Sequence, residues 1–198
     1  MAKNKVKYNL KNAHYAMLTV DEEGTVSYAS PVALPGAVSI SLDANGKPEN
    51  FYADGVAYYV INNNMGYDGD LELAMIPEDF RVSALNETLD DKKVLIENAN
   101  TELNPFALLF EFDGDVKHIR HVLYNCSASR PGIEGKTNEE NREVQTETLS
   151  IKATPLASGV VKAKTGDSTD AAVYADWYKA VYMPSIAETG SGTDQAGV

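Results

Sequence analysis

A single cysteine, Cys126, and three histidines, His14, His118 and His121, leave the chain poor in metal and redox chemistry. One thiol closes no intrachain disulfide and makes no CxxC pair. His118 and His121 stand three apart, which on a strand sets them on opposite faces, a poor geometry for one metal ion. Long apolar runs are missing as well. The longest is the stretch 106–110, whereas a secretory leader needs roughly 7–15 such residues and a membrane helix about 20. Positive charge is scarce: 17 Lys and Arg against 29 Asp and Glu leave a net charge of −12. That balance disfavours general binding to nucleic acid or to a membrane surface, since both are polyanions. No phosphate loop, GxGxxG, HExxH or GxSxG occurs. The expectation is a protein that is not an enzyme, with no cofactor and no metal, made and kept in a cytoplasm.

What the chain does have is strand pattern. Its 198 residues are 43% hydrophobic, enough for one domain with a real core. Over 67–75, Tyr67, Gly69, Leu71, Leu73 and Met75 alternate with Asp68, Asp70, Glu72 and Ala74, a period of two with one apolar and one acidic face. Residues 37–42 alternate similarly before the turn residues 43–46, and 56–61 is a β-branched and aromatic run closed by three asparagines. Phe106, Leu108, Phe110 and Phe112 share a strand face, Asp113-Gly114-Asp115 turns the chain, and 116–126 returns. A further strand is expected over 143–153 and a short edge strand over 160–164. Two segments read as helix. Residues 77–85 open on Pro77, Glu78 and Asp79, which suits a helix N-terminus. Residues 170–183 carry Val173, Tyr174, Trp177, Tyr178, Val181 and Tyr182 at helical spacing, with Thr169 or Asp170 as cap and Pro184 as stop. Short strands with turn signals plus one packed amphipathic helix predict a mainly β sandwich or barrel. The domain is expected over 1–183, with an extended N-terminal arm over about 1–11, and a flexible Gly/Ser/Thr-rich tail over 184–198.

Candidate functional residues follow from surplus. The alternating Asp68, Asp70 and Glu72 could hold calcium or act as an acid–base pair, but acids spaced along a strand ordinarily form a solvated face. Cys126 reads as a small buried hydrophobe. Tyr is frequent, at 11 residues, with several in the first third, and aromatics beyond the needs of one core serve interfaces. The loop 43–54 is too long and aromatic for a simple turn. Phe51 and Tyr52 there, and Tyr8 in the arm, are candidate contacts between subunits.

Four blocks, 31–43 (PVALPGAVSISLD), 51–80 (FYADGVAYYVINNNMGYDGDLELAMIPEDF), 106–131 and 143–156 (EVQTETLSIKATPL), together resemble the major tail proteins of long non-contractile-tailed bacteriophages of Gram-positive bacteria. The likeness spans about 9–182, with the blocks in order. It implies a β-sandwich tail-tube subunit with a packed helix. Such subunits form hexameric rings that stack into a hollow tube through which the genome leaves the capsid. It also implies no catalytic residues. The implied partners are further copies of the chain, a tape-measure protein, and tail-tip initiator and terminator proteins. DNA would pass through the lumen without specific binding. The implied location is the virion tail, after assembly in the host cytoplasm. An acidic bore would repel phosphate, which makes Asp68, Asp70 and Glu72 the candidate lumen-facing acids. Two alternatives stand beside this reading. One is a β-sandwich binding or decoration module for carbohydrate or a protein partner; the other is the tube subunit of a contractile injection system.

Overall fold

Alternating apolar residues become antiparallel sheet through most of the chain. The computed structural model describes residues 3–137 and 143–185. In chain order the strands are β1 (Lys7–Val20), β2 (Val26–Tyr28), β3 (Val32–Ala33), β4 (Ala37–Asn45), β5 (Glu49–Ala53), β6 (Val56–Ile61) and β7 (Gly66–Leu73). After helix α1 (Glu78–Ser83) come β8 (Thr88–Leu89), β9 (Leu95–Ile96), β10 (Phe106–Gly114), β11 (Ile119–Ala128), β12 (Glu147–Ala153) and β13 (Lys162–Lys164), then helix α2 (Ala171–Asp176). The main sheet runs β2-β1-β10-β11-β12-β7-β4, with β3 paired to β1 and β13 to β11.

Connectivity bends this sheet into a barrel. β3 lies on one outer edge, against His14 and Tyr15 of β1, while β4 ends the other side of the sheet on β7. Only Leu34, Pro35 and Gly36 separate β3 from β4, so Ala33 and Ala37 lie no more than about 14 Å apart. The seam is held by Leu34 N–H donating to Ala13 O and Ala74 N–H donating to Gly36 O. Inside are Leu71, Leu73, Phe106, Leu108, Leu149 and Ile151, with Phe80 of α1 stacked edge-on against Tyr15 and Phe106. The mainly β sandwich or barrel architecture is as expected, with strands over 56–61, 66–73, 106–114 and 119–128 close to the predicted places.

The opposite face of β1, β10 and β11 is apolar as well. Ala16, Ala107, Leu109, Val122 and Tyr124 are covered by Trp177, Val173, Tyr178 and Val181. The covering helix is shorter than the predicted 170–183. Asp170 caps it, accepting from Ala172 N–H and Val173 N–H, but Arg120 takes the Tyr174 carbonyl and Tyr124 O–H takes that of Tyr182. Tertiary donors thus take carbonyls that a longer helix would use, while Lys179 N–H and Ala180 N–H close turns on Asp176 O. None of the helices among the described residues is long and apolar enough to cross a membrane.

The expected N-terminal arm is largely sheet. Lys7, Tyr8, Leu10 and Lys11 pair with β10 of their own chain. Asn4 accepts from Val116 N–H and Lys117 N–H at the β10–β11 turn. Residues 43–45, expected as a turn, continue β4, because Asp43, Ala44 and Asn45 find partners on β7. The predicted strand over 143–153 starts at Glu147. Most of the expected C-terminal tail, 186–198, lies outside the described residues.

Candidate functional site

Three surfaces carry chemistry beyond the core. The first is the outer face of β4, β7 and β12. Because Leu71 and Leu73 point into the barrel, Asp68, Asp70 and Glu72 share the outside, as alternation requires. Register sets Ser39, Ser41 and Asp43 on one side of them and Thr148, Ser150 and Lys152 on the other. Asp70 accepts from Ser150 Oγ at 2.8 Å, and Asp68 accepts from Asn45 Nδ2 at 2.6 Å. Glu72 accepts from Thr146 Oγ1 at 2.6 Å and Ser39 Oγ at 2.8 Å. The Thr146 hydroxyl, then that of Ser39, hold its carboxyl below the usual range. The three acids are therefore held by hydrogen bonds and brought together on one face, with Lys152 the one cation in this register. No group of three or more His, Cys, Asp or Glu among the described residues is arranged to hold a metal.

The second surface is the β5–β6 hairpin, a two-stranded sheet separate from the barrel. Asp54 and Gly55, both at positive φ, make its two-residue turn, the chemistry that favours a tight hairpin. Phe51, Tyr52, Val56, Tyr58, Tyr59, Val60 and Ile61 are all exposed, Tyr58 at 72%. Since side chains alternate along a strand, both faces of the ribbon are apolar and both face solvent. The predicted contacts Phe51 and Tyr52 lie here, while Tyr8 is exposed on β1 of the main sheet.

The third is the open barrel end near Lys7 and Lys162. A cavity of about 340 Å³ is lined there by both lysines, Tyr67, Phe110, Phe112 and His121, among others. His121 stacks flat on Phe110, with ring centroids 5.1 Å apart. Burial, then the charges of Lys164, Lys7 and Lys162, push its pKa down to about 4 from 6.5. The folded chain therefore keeps His121 neutral while the unfolded chain protonates first. Its contribution is whole above pH 6.5 and is lost as pH falls toward 4. His121→Phe should flatten the loss of urea stability between pH 7 and 4 by up to about 3 kcal/mol. An unchanged pH slope would show that His121 is not the group responsible.

Sequence reasoning missed Glu111 and Arg120. They face each other across the β10–β11 hairpin, with Arg120 Nε donating to Glu111 Oε2 at 2.9 Å. Glu111 is 2% exposed and also accepts from Asn12 Nδ2 and Tyr178 O–H. The Arg120 guanidinium lies over the Tyr174 ring at 3.9 Å. A glutamate inside the apolar run 106–112, on the face opposite the phenylalanines, was the available signal. Cys126 is buried, as expected, and burial pushes its thiol up to about 12. His118 Nδ1 lies 2.7 Å from Asp113 Oδ1.

No protein-family model matches the sequence, and no curated protein matches it significantly. Seven chains of solved structures do match. One belongs to the structure described as the cryo-EM structure of the anti-feeding prophage baseplate, 6-fold symmetrised. It is similar over 85% of this chain and 99% of that one, at 10% identity and a TM-score of 0.46.

Proposed function

We propose that the chain is a structural subunit that assembles with copies of itself into hexameric rings stacked as a phage-type tail tube. The observation that carries this reading is the β5–β6 hairpin. A lone two-stranded ribbon is marginal in water at best, and one that exposes tyrosine, phenylalanine and β-branched side chains on both faces calls for cover on both. A neighbouring copy is the simplest source of that cover. The outer edge of β4 supports the same reading. It has no strand partner among the described residues and carries neither lysine nor proline to discourage pairing. In this reading the tape-measure, initiator and terminator proteins are the other partners, and the tail of the virion is the location.

The acidic face of β4, β7 and β12 becomes the wall of the bore. Fixed carboxylates spaced along a strand and repeated around a ring would keep DNA off the wall. Replacing Asp68, Asp70 and Glu72 together by lysine should slow DNA release from assembled particles several-fold, most at low salt. Release as fast as from the unaltered tail would place these acids elsewhere.

Light scattering after size exclusion, beside negative-stain electron microscopy over a concentration series, tests the reading. Rings of six or hollow tubes are expected. A species that remains monomeric, alone and with a tail-tip complex added, would reject it in favour of a binding module.

A further inference from the structure

We infer that the open barrel end is the receptor for the hairpin of a second copy, with Asp54 at the hairpin tip entering between Lys7 and Lys162. The inference rests on the assembly reading and names the contact that would carry it.

The cavity has a cationic rim over an apolar wall. Lys7 Nζ lies 4.6 Å from the Phe112 ring centroid and Lys162 Nζ lies 4.1 Å from that of Tyr67. Neither lysine has a carboxylate within ion-pair distance among the described residues, in a chain with 29 acids to 17 bases. Ile40, Leu42, Phe110 and Leu123 form the apolar part of the lining. Such a site takes an anion carried on an apolar body, because the ring faces and aliphatic groups pack against the body while the two ammonium groups, with Ser41, Tyr67 and His121 beside them, offer charge-assisted and polar bonds.

The hairpin is such a body. Asp54 occupies the tip, with Tyr52, Val56 and Tyr58 exposed around it. Asp54 too has no cationic partner among the described residues. The six residues of β6 span about 20 Å from root to tip. The root itself, between Asn45 and Gly66, adjoins Leu42 and Tyr67 of the cavity lining. Hairpin and cavity therefore sit at the same end of the barrel. With the hairpin tip directed sideways from its root, copies related by rotation about a common axis bring one copy's hairpin to its neighbour's cavity, a head-to-tail contact that closes into a ring.

Two variants of the full chain, each with one added cysteine, Asp54→Cys and Lys162→Cys, carrying tags of different length, test the contact. Cys126, buried and with its thiol pushed up to about 12, stays out of the reaction. Mixed and oxidised, they should give the mixed dimer in about tenfold excess over either homodimer. Asp54→Lys and Lys162→Glu should each raise the concentration needed for assembly about tenfold, and the double reversal should recover most of that loss. No excess of mixed dimer, or single reversals that assemble like the unaltered chain, would overturn the inference. Tubes without the mixed dimer would remove this contact alone. The mixed dimer without rings or tubes would instead remove the tube and leave the contact.

Discussion

Under the proposed assembly, replacing Phe51, Tyr52 and Tyr59 together by serine is expected to abolish association at concentrations where the unaltered chain would form rings or tubes, while leaving the urea midpoint of the barrel nearly unchanged. The separation follows from where these side chains are. All three are more than half exposed in the single chain and lie on a ribbon separate from the main sheet, so truncating them removes little buried area from the barrel. At an interface the same aromatics become anchors. Each such anchor is commonly worth about 2 kcal/mol or more, so three together raise the assembly threshold by several powers of ten. The measurement is sedimentation or light scattering against concentration, with a urea titration of the same samples. Assembly that survives the triple change would show that the hairpin is not the contact. A large fall in the urea midpoint would show that it packs on its own barrel.

Arg120→Met is expected to do the reverse and strike the fold first. It leaves Glu111, 2% exposed, with its main cationic partner gone. Breaking one side of a buried pair typically costs about 3–5 kcal/mol, against a total stability of about 5–15 kcal/mol for an ordinary domain. The same change takes the donor from the Tyr174 carbonyl and the nearer of two cations from above the Tyr174 ring, leaving Lys117. The cover over β1, β10 and β11 should therefore loosen before the barrel opens. Trp177, the one tryptophan, sits in that cover at 2% exposure and reports it by fluorescence. Glu111→Met with Arg120→Met should recover most of the loss, because no charge is then left buried. A single variant as stable as the unaltered chain would mean that solvent reaches Glu111 readily.

Legibility in the sequence tracked how regular each strand is. The alternation at 66–73 and the hairpin after 106–112 show in one dimension, because nothing interrupts their period of two. The turn predicted at 113–115 falls at 115–118 instead, since Asp113 and Gly114 continue β10 by pairing with Tyr8 and Lys7. β1, the longest strand at 14 residues, was read in part as an arm. Its pairing slips twice, at Asn9 and Asn12, both at positive φ. Each bulge advances the side-chain phase by one residue and breaks the pattern that marks a strand. The bulges have a cause in three dimensions: the two asparagine side chains donate to Asp113 and Glu111 of the neighbouring strand. β2, β3, β8 and β9 are two or three residues long, too short for periodicity to register. The acidic row was legible because one strand carries it. The Lys7–Lys162 cavity was not, since its two charges lie 155 positions apart and meet only through pairing with β10 and β11.

The pairing of β1 with β10 also sets a schedule for the chain as it is made. Lys7 finds its partner at Gly114, more than a hundred residues later in synthesis. At about 5–20 residues per second, the first strand waits on the order of 5–20 s before its main neighbour exists. During that interval β2 and β3 are the only strands of the final sheet available to it, and its other edge is open. The lysines at positions 3, 5, 7 and 11 then act as guards, since positive charge along an unpaired edge discourages one nascent chain from pairing with the next on the same message. Closure of the barrel is thus a late event, delayed until most of the chain has been synthesised.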